Sequence, residues 1–328
     1  MEEFNSFYKG KRVIVTGADG FMGSHLTERL LELGSKVSIL VIGNSLVGNA
    51  YNLRNIPHLI PNFESIIAVD IGNIDAIELI KKNRPKIIFH LAAEAYVNKS
   101  FTQPREVIRT NVDGTLNVLQ ACLNEDMKPA DWVERIICTS SSEIYGHHET
   151  PIDESFELFP SSPYGASKAA ADRLAFAYYN TFGLPISIIR PFNTYGPRHT
   201  YDAPPKFISL ALENKDITIY GDGKQTRDLT YVDDMIDAFL IMGSNQKAVG
   251  EAVNFGAGND TAILDLAKNI IKISGSKSKI VNLPPRLSEV RRLCCNPSKA
   301  EKLFGWKAKI SIEEGLKKNI DFAKKQRS

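Results

Sequence analysis

Between residues 11 and 190 the sequence alternates between short apolar runs and longer stretches in which apolar residues recur with helical spacing. Strands that are apolar throughout and are separated by helices form parallel sheets, joined by right-handed crossovers and covered on both faces. We therefore predict an α/β fold with a parallel sheet. The predicted strands lie in the runs RVIVTGA, KVSILVI, SIIAVD, KIIFHLAA, RIICTSS and PISIIRP.

Composition excludes several classes of protein. The chain has 328 residues, 43% of them hydrophobic and 24% charged, with a formal net charge of +2. We therefore expect a globular protein without a nucleic-acid partner. No apolar signal segment or run of about 18 apolar residues occurs, so we expect a cytoplasmic protein that does not enter a membrane. The four cysteines fit neither a disulfide framework nor paired metal-ligand spacing, and we expect no metal site.

The turn after the first predicted strand has the spacing GxxGxxG, from Gly17 through Gly20 to Gly23. Glycines permit a tight turn and a close backbone approach, so that the next helix can direct its N-terminal N–H groups at a pyrophosphate. This context predicts a dinucleotide-binding site and a Rossmann-type, doubly wound sheet. The second strand ends without an acidic residue for a ribose 2′-hydroxyl and without an Arg for a 2′-phosphate, so NAD and NADP both stay open, with NAD slightly preferred. Asp70, which ends SIIAVD, could contact the adenine or cap a helix.

Tyr164 and Lys168 lie in the stretch YGASK, which opens a predicted helix. Residues at i and i+4 share one face of a helix. An ammonium near a phenol lowers the phenol pKa from about 10 towards working pH. Tyr164 could then exchange a proton with a sugar hydroxyl while hydride leaves the carbon.

Several motifs together resemble the extended short-chain dehydrogenase/reductase family that acts on nucleotide sugars. They are GxxGxxG, HLAA, NVDGTLNVLQAC, TSSSEIYG, PYGASK, RPFNTYGPR, GDGKQTRDLTYVDD and FGWKAKISIEEGL, and they extend over nearly the whole chain. The resemblance implies a tightly bound NAD or NADP that is recycled at each turnover. It also implies a nucleotide-diphosphate sugar as substrate, and a homodimer formed by the helices that follow Asn111 and Tyr164.

The resemblance also implies roles for individual residues. Ser141 would hydrogen-bond the sugar 4-hydroxyl beside Tyr164, Lys168 would hold the nicotinamide ribose, and Asn111 would support the lysine through the helix that it begins. The implied cofactor-binding residues are Gly17, Asp19, Gly20, Phe21, Met22, Gly23, Asp70, Ile71, Leu91, Ala92, Ala93, Asn111, Tyr164, Lys168 and Pro191. The implied substrate-binding residues are Asn193, Arg198, Arg227, Arg286 and Glu289; arginines suit phosphate because their planar fork binds its oxygens bidentately.

The pattern of the sequence changes after about residue 196, where Pro and Gly become frequent and the alternation of strands and helices loosens. We therefore predict a Rossmann-type NAD(P)-binding domain over residues 1–195. Residues 196–328 would form a smaller α/β lobe that binds the nucleotide sugar, with some segments returning to the first domain.

The stretch TSSSE favours one reaction among those of the family. Enzymes that only epimerise C4 tend to carry small or neutral residues after the catalytic serine, whereas here Glu143 follows Ser141 by two positions. Once C4 is a ketone the C5 hydrogen is acidic, so a carboxylate could remove it and the C6 hydroxyl could leave. The predicted activity is therefore a 4,6-dehydration, a lyase reaction in which the dinucleotide is a catalyst. We expect Ser141, Ser142, Glu143, Tyr164 and Lys168 to form the catalytic set.

The Ser-Ser-Glu form resembles GDP-mannose 4,6-dehydratases and retaining UDP-N-acetylglucosamine 4,6-dehydratases; the dTDP-glucose enzymes carry Asp at the position of Ser142.

Three alternatives to a dehydratase remain. A 4-epimerase is the first alternative. UDP-glucuronate decarboxylases, the second, also carry Ser-Glu here, but their sequence before the catalytic lysine differs from PYGASK. The third is a non-catalytic dinucleotide-sensing or scaffold protein, which has no need of the pair Tyr164 and Lys168.

Overall fold

The computed structural model describes residues 2–42, 46–47, 50–51, 53–285 and 290–327. Its helices are α1 (Glu2–Tyr8), α2 (Phe21–Glu32), α3 (Asp75–Asn83), α4 (Val97–Thr102), α5 (Pro104–Ile108), α6 (Gly114–Ala121), α7 (Pro163–Phe182), α8 (Ala203–Leu212), α9 (Val232–Ser244), α10 (Ile263–Ser274), α11 (Ser298–Phe304) and α12 (Ile312–Lys325). Short 3₁₀ helices cover Pro57–Asn62, Ser142–Ile144 and Gln246–Ala248, and a π-helical turn covers Arg109–Asp113. No helix in the described part of the chain is long and apolar enough to cross a membrane.

The strands build one large sheet and several small ones. They are β1 (Arg12–Thr16), β2 (Lys36–Val41), β3 (Leu46–Val47), β4 (Ala50–Tyr51), β5 (Ser65–Ala68), β6 (Ile87–His90), β7 (Arg135–Thr139), β8 (Ile186–Pro191), β9 (Thr194–Tyr195), β10 (Ile217–Tyr220), β11 (Thr226–Asp228), β12 (Thr230–Tyr231), β13 (Ala252–Phe255), β14 (Asp260–Ala262), β15 (Ile280–Leu283) and β16 (Arg292–Leu293). The large sheet has the order β13-β8-β7-β6-β1-β2-β5.

The six predicted strands are confirmed as β1, β2, β5, β6, β7 and β8, and neighbouring members pair in parallel. Strands β6 and β8 are buried at every position, as expected of a sheet with helices on both faces. One face packs around Ile14, Ile88, Ile136 and Ile188, one from each of four neighbouring strands. The Rossmann-type prediction is therefore confirmed, and β13 joins the sheet as a seventh strand that the sequence pattern did not indicate.

Helix α7 begins and ends where its sequence predicts. The Ser162 hydroxyl oxygen accepts a hydrogen bond of 3.0 Å from the N–H of Gly165, and Pro163 occupies the first helical position. Gly183 closes the helix with φ +70°, a left-handed conformation that costs glycine little. The helix therefore presents Tyr164 in its first turn and Lys168 one turn later.

The chain divides into two compact units. The first contains Met1–Ile144, Ser162–Arg190 and Ile236–Val253, and the second contains Tyr145–Ser161, Pro191–Met235 and Asn254–Ser328. The large sheet belongs mainly to the first unit. The second holds the small sheets β10-β15, β14-β11-β16 and β12-β9. It stays a prediction that residues 1–195 bind a dinucleotide and that residues 196–328 bind a nucleotide sugar.

Candidate active site

The glycine turn lies at the point where the strand order of the large sheet reverses. From β1 the chain proceeds through β2 to β5 and then returns to the other side of β1 as β6. Gly17 has φ +69°, and a Cβ on it would lie 2.9 Å from both Cα and N of Ala92, just after β6. Gly20 precedes α2 and offers no side chain to cap it. In open α/β sheets this switch point is where ligands bind. That the turn and the segment Leu91–Ala93 bind the cofactor stays a prediction.

Asp19 has a structural role within the turn. Its carboxylate accepts hydrogen bonds of 2.8 Å from the N–H groups of Arg54 and Asn55. Helix α2 then begins with Phe21 and Met22, and the ring of Phe21 packs edge-on against His25 at 6.0 Å. Asp19 thereby fixes a loop against the glycine turn, and a direct contact of Asp19 with a cofactor stays a prediction.

Asp70 does not cap a helix, so that interpretation is wrong. Helix α3 begins at Asp75, five positions later, whereas the Asp70 carboxylate accepts from the N–H of Gly72 at 2.9 Å and pairs with Arg109 at 2.6 Å. The neighbouring Ile71 is buried, and its carbonyl accepts 2.8 Å from the Asn117 amide. Contact of Asp70 with adenine stays a prediction.

The three residues Ser141, Ser142 and Glu143 follow β7 after one intervening residue, Ser140. Ser142 opens the 3₁₀ turn, and Ser141 and Ser142 are both buried. The N–H of Glu143 lies 3.2 Å from the Ser141 hydroxyl oxygen and donates to it, while the Glu143 side chain is half-buried. A carboxylate and two hydroxyl groups are thus carried on one short turn at the carboxyl end of a central strand.

Lys168 is tied to the strand that carries Ser141. Its ammonium donates to the main-chain carbonyl of Thr139, the last residue of β7 and two positions before Ser141. Tyr164 and Lys168 are 8% and 5% exposed, and they are one helical turn apart. Burial lowers the pKa of Lys168 to about 8, and the negative charge of Asp172 opposes that shift. The sequence motif did not reveal the carbonyl of Thr139 as a partner.

Asn111 lies inside a helical run and does not begin a helix, so that part of the prediction is wrong. It belongs to the π-helical turn between α5 and α6, in which the N–H of Gly114 bonds to the carbonyl of Arg109. Its amide donates 2.9 Å to the Ser167 hydroxyl and its amide oxygen accepts 2.8 Å from the N–H of Glu94. Asn111 therefore contacts helix α7 next to Lys168, and any support of the lysine acts through Ser167.

The structure adds Asp172, which motif reasoning missed. The Asp172 carboxylate is fully buried, and it receives bonds of 2.8 Å and 3.0 Å from the guanidinium of Arg190. It follows Lys168 by four residues, so both side chains lie on one face of α7. The i+4 spacing from the lysine was a signal available in the sequence.

Four of the proposed cofactor and substrate residues lie in the second unit: Pro191, Asn193, Arg198 and Arg227. The buried side-chain oxygen of Asn193 has no hydrogen-bond partner among the described residues. Arg198 has φ +70°, uncommon for a residue with a side chain. Arg227, in β11, donates 2.8 Å to each of the carbonyls of Thr226 and Val290. Arg286 and Glu289 lie outside the described residues.

Known proteins resemble the chain over almost its whole length. The family model described as GDP-mannose 4,6 dehydratase matches residues 14–319. The UDP-N-acetyl-alpha-D-glucosaminuronate decarboxylase of Bacillus cytotoxicus is 34% identical, over 95% of this chain and 97% of its own.

Two solved structures share the fold. The UDP-glucuronic acid 4-epimerase from Bacillus cereus, in complex with UDP-glucuronic acid and NAD, has a TM-score of 0.86 and 31% identity, and the match covers 96% of this chain and 99% of that one. The dTDP-glucose 4,6-dehydratase from Streptomyces venezuelae, with NAD and TYD bound, has a TM-score of 0.86 and 28% identity over 96% and 98%. These relatives carry out three different reactions. The chain therefore belongs to the GDP-mannose 4,6 dehydratase family, within the extended short-chain dehydrogenase/reductases whose members include nucleotide-sugar dehydratases, epimerases and decarboxylases.

Proposed function

We propose that the protein is a nucleotide-sugar 4,6-dehydratase, which converts an NDP-hexose such as UDP-N-acetylglucosamine into a 4-keto-6-deoxy sugar nucleotide and water. The observation that carries the proposal is the place of Glu143. It lies two residues after Ser141, on the 3₁₀ turn Ser142–Ile144 that follows β7. A base at this position can serve a second proton transfer, which a reaction confined to C4 does not need.

The residues of the glycine turn fit a dinucleotide. A side chain on Gly17 would collide with Ala92, and one on Gly23 would collide with the carbonyl of Gly17, so the turn keeps its backbone open to a close-lying ligand. Gly20 leaves the first N–H groups of α2 without a side-chain cap, as a pyrophosphate site requires. We infer NAD as the group, because both neighbouring structures contain it. When bound, NAD supplies a reversible acceptor for the hydride of a sugar carbon.

Tyr164 is the acid–base group for the sugar 4-hydroxyl in this proposal. The Lys168 ammonium favours the phenolate form of Tyr164, which takes the hydroxyl proton as C4 becomes a ketone. The bond from Lys168 to the Thr139 carbonyl fixes the ammonium near the end of β7. Ser141, two residues further on, orients the 4-hydroxyl by a hydrogen bond.

Glu143 acts after the ketone has formed. Its carboxylate takes the C5 proton, and the electron pair of that C–H bond forms the C5–C6 double bond as the C6 hydroxyl leaves. The same carboxyl can return a proton to the departing oxygen, which leaves as water, because the Ser142 hydroxyl is too weak an acid for this step alone. C6 would then accept the hydride from the reduced cofactor, and C5 would accept a proton from a group that exchanges with solvent, so that the dehydration is redox-neutral.

The second unit supplies the proposed contacts to the nucleotide diphosphate. The buried side-chain oxygen of Asn193, which has no hydrogen-bond partner within the described part of the chain, can accept a hydrogen bond from the ligand. Arg227 and Arg198 bring positive charge for the phosphates, and Arg286 and Glu289 are proposed for a phosphate and the nucleoside ribose.

A 4-epimerase is the second candidate, since the Bacillus cereus structure of similar fold is one. A decarboxylase is the third, in line with the relative from Bacillus cytotoxicus. Incubation with UDP-, GDP-, dTDP- and CDP-sugars followed by mass spectrometry separates the three. We expect a product lighter by one water. A product of unchanged mass would indicate epimerisation, and loss of one carbon dioxide would indicate decarboxylation; either would overturn the proposal.

A further inference from the structure

A chain of buried hydrogen bonds links the end of β1 to the catalytic helix α7 through His90. The imidazole Nδ1 lies 2.9 Å from the Thr16 hydroxyl oxygen, and Nε2 lies 3.0 Å from the Thr115 hydroxyl oxygen. Thr16 ends β1, His90 ends β6, and Thr115 lies in the first turn of α6. All three residues are at most 4% exposed.

The partners of the two threonines decide which neutral tautomer His90 adopts. The Thr115 hydroxyl is 2.7 Å from the main-chain carbonyl of Asn111, which can only accept, so the single hydroxyl hydrogen points there. Nε2 of His90 must therefore be the donor to Thr115. At the other end the N–H of Ala92 donates 3.0 Å to Thr16, which leaves the Thr16 hydroxyl hydrogen for Nδ1. Of the two neutral tautomers, only the one protonated at Nε2 satisfies all four bonds.

The surroundings oppose a charged imidazole as well. Burial, reinforced by the positive charge of Lys168, lowers the pKa of His90 to about 3. The ring is therefore a fixed, neutral connector with one donor and one acceptor on opposite sides.

The connection continues from the π-helical turn to the catalytic tyrosine. The main-chain carbonyl of Asn111 accepts the hydrogen bond from Thr115. The Asn111 side-chain amide donates a bond of 2.9 Å to the Ser167 hydroxyl, and the Ser167 hydroxyl donates a bond of 2.7 Å to the carbonyl of Tyr164. The chain of bonds thus begins beside the glycine turn and ends on the backbone of Tyr164.

We propose that His90, as the Nε2-protonated neutral imidazole, is a positioning residue that holds the π-helical turn at Asn111 and thereby the first turn of α7, where Tyr164 lies. The inference rests on the proposed function, in which Tyr164 is the acid–base group. His90 itself touches neither cofactor nor substrate in this role. Its effect is on the distances that set the ionisation of Tyr164.

The first test observes the tautomer directly. The full chain, with added NAD, is labelled with ¹⁵N-histidine, and the His90 resonances are assigned by replacing the other histidines one at a time. We expect Nε2 protonated and Nδ1 unprotonated throughout about pH 5 to 8, the range in which an ordinary histidine titrates. A ring protonated at Nδ1, or at both nitrogens near pH 6, would overturn the proposal.

The second test measures the positioning. Thr115→Val removes the hydroxyl with little change of shape, and Thr115→Ser is its matched control because it keeps the hydroxyl. Tyrosine labelled with ¹³C at Cζ reports ionisation, and Tyr164→Phe identifies the Tyr164 signal. We expect the pKa of Tyr164 to rise by about one unit, a tenfold change, in the Val variant and to stay near the wild-type value in the Ser variant.

Equal Tyr164 titration in the two variants would refute the positioning role. The pair Thr16→Val and Thr16→Ser repeats the comparison at the other end of the chain of bonds, should Thr115→Val fail to fold. Neither measurement uses a sugar substrate. A failed substrate panel therefore counts against the dehydratase proposal alone, and a wrong tautomer or an unshifted tyrosine counts against this inference alone.

Discussion

The buried pair of Asp172 and Arg190 gives a sharp test of what holds helix α7 on the sheet. Asp172→Asn removes the negative charge and keeps the side-chain shape. Arg190 is 4% exposed, and in the variant its buried guanidinium loses the carboxylate that accepts its bonds of 2.8 Å and 3.0 Å. Removing one member of a buried pair costs about 3–5 kcal/mol, and we expect about 3 kcal/mol because the asparagine oxygen still accepts one hydrogen bond.

A surface pair provides the matched control. Arg84 donates to the two Asp131 oxygens at 2.9 Å and 3.0 Å, distances similar to those of the buried pair although both bonds come from one nitrogen, and the two side chains are 56% and 80% exposed. Water solvates each partner when the other is lost, so Asp131→Asn should cost less than about 1 kcal/mol. Burial is thus the main difference between the two substitutions.

The assay is urea unfolding followed by tryptophan fluorescence. The chain has two tryptophans, and Trp132 packs in the core of the first unit, which also contains both Arg–Asp pairs. A Trp306→Phe background leaves Trp132 as the reporter of that unit. The shift in midpoint multiplied by the m-value gives the change in unfolding free energy. Equal losses in Asp172→Asn and Asp131→Asn would refute the reasoning.

Four further outcomes follow from the site. Tyr164→Phe should lower turnover by about 10²-fold or more and spare NAD binding measured by fluorescence titration, because only the acid–base hydroxyl is lost; near-native turnover would exclude the role. Because the pKa of Lys168 is lowered to about 8, its ammonium loses the proton as the pH rises through that value, and kcat should fall between about pH 8 and 10; a level profile would contradict this. The Glu143→Gln variant should still oxidise C4 and then stop, so that reduced cofactor accumulates and is detected by its ultraviolet absorbance. Unchanged dehydration would exclude Glu143 as the base. Light scattering should report a homodimer, because Phe101, Ile108 and Phe176, on the mutually packed helices α4, α5 and α7, are 36%, 48% and 43% exposed; a monomer at micromolar concentration would contradict it.

Local patterns predicted most of the sheet, because a fully buried parallel strand must be apolar at nearly every position. The seventh strand, β13, escaped because its four residues follow the Gly- and Pro-rich part of the chain, and only its position beside β8 makes it part of the sheet. Six strands and the limits of α7 follow from periodicity and capping. The return of Ile236–Val253 to the first unit depends on tertiary packing, which local pattern does not encode.

Site residues whose chemical group is part of a motif could be predicted from the sequence. Site residues whose role depends on a distant hydrogen-bond partner could not. Tyr164 and Lys168 follow from their spacing, but the carbonyl that anchors Lys168 belongs to a strand 29 residues earlier. His90 was hidden because it closes an otherwise apolar strand, where a polar ring gives no periodic signal. The π-helical turn at Asn111 likewise depends on hydrogen bonds to Ser167, which is distant in sequence, and to Glu94, which lies on an earlier segment.

The most direct test of the dehydratase proposal is the isotope content at C5 of the product. The reaction is run in deuterated water on the sugar nucleotide identified by the panel, and the product is analysed by NMR. If Glu143 removes the C5 proton and C5 is reprotonated from a group that exchanges with solvent, the product should carry deuterium at C5 and a 4-keto-6-deoxy sugar should form. A product without deuterium at C5 would contradict the account.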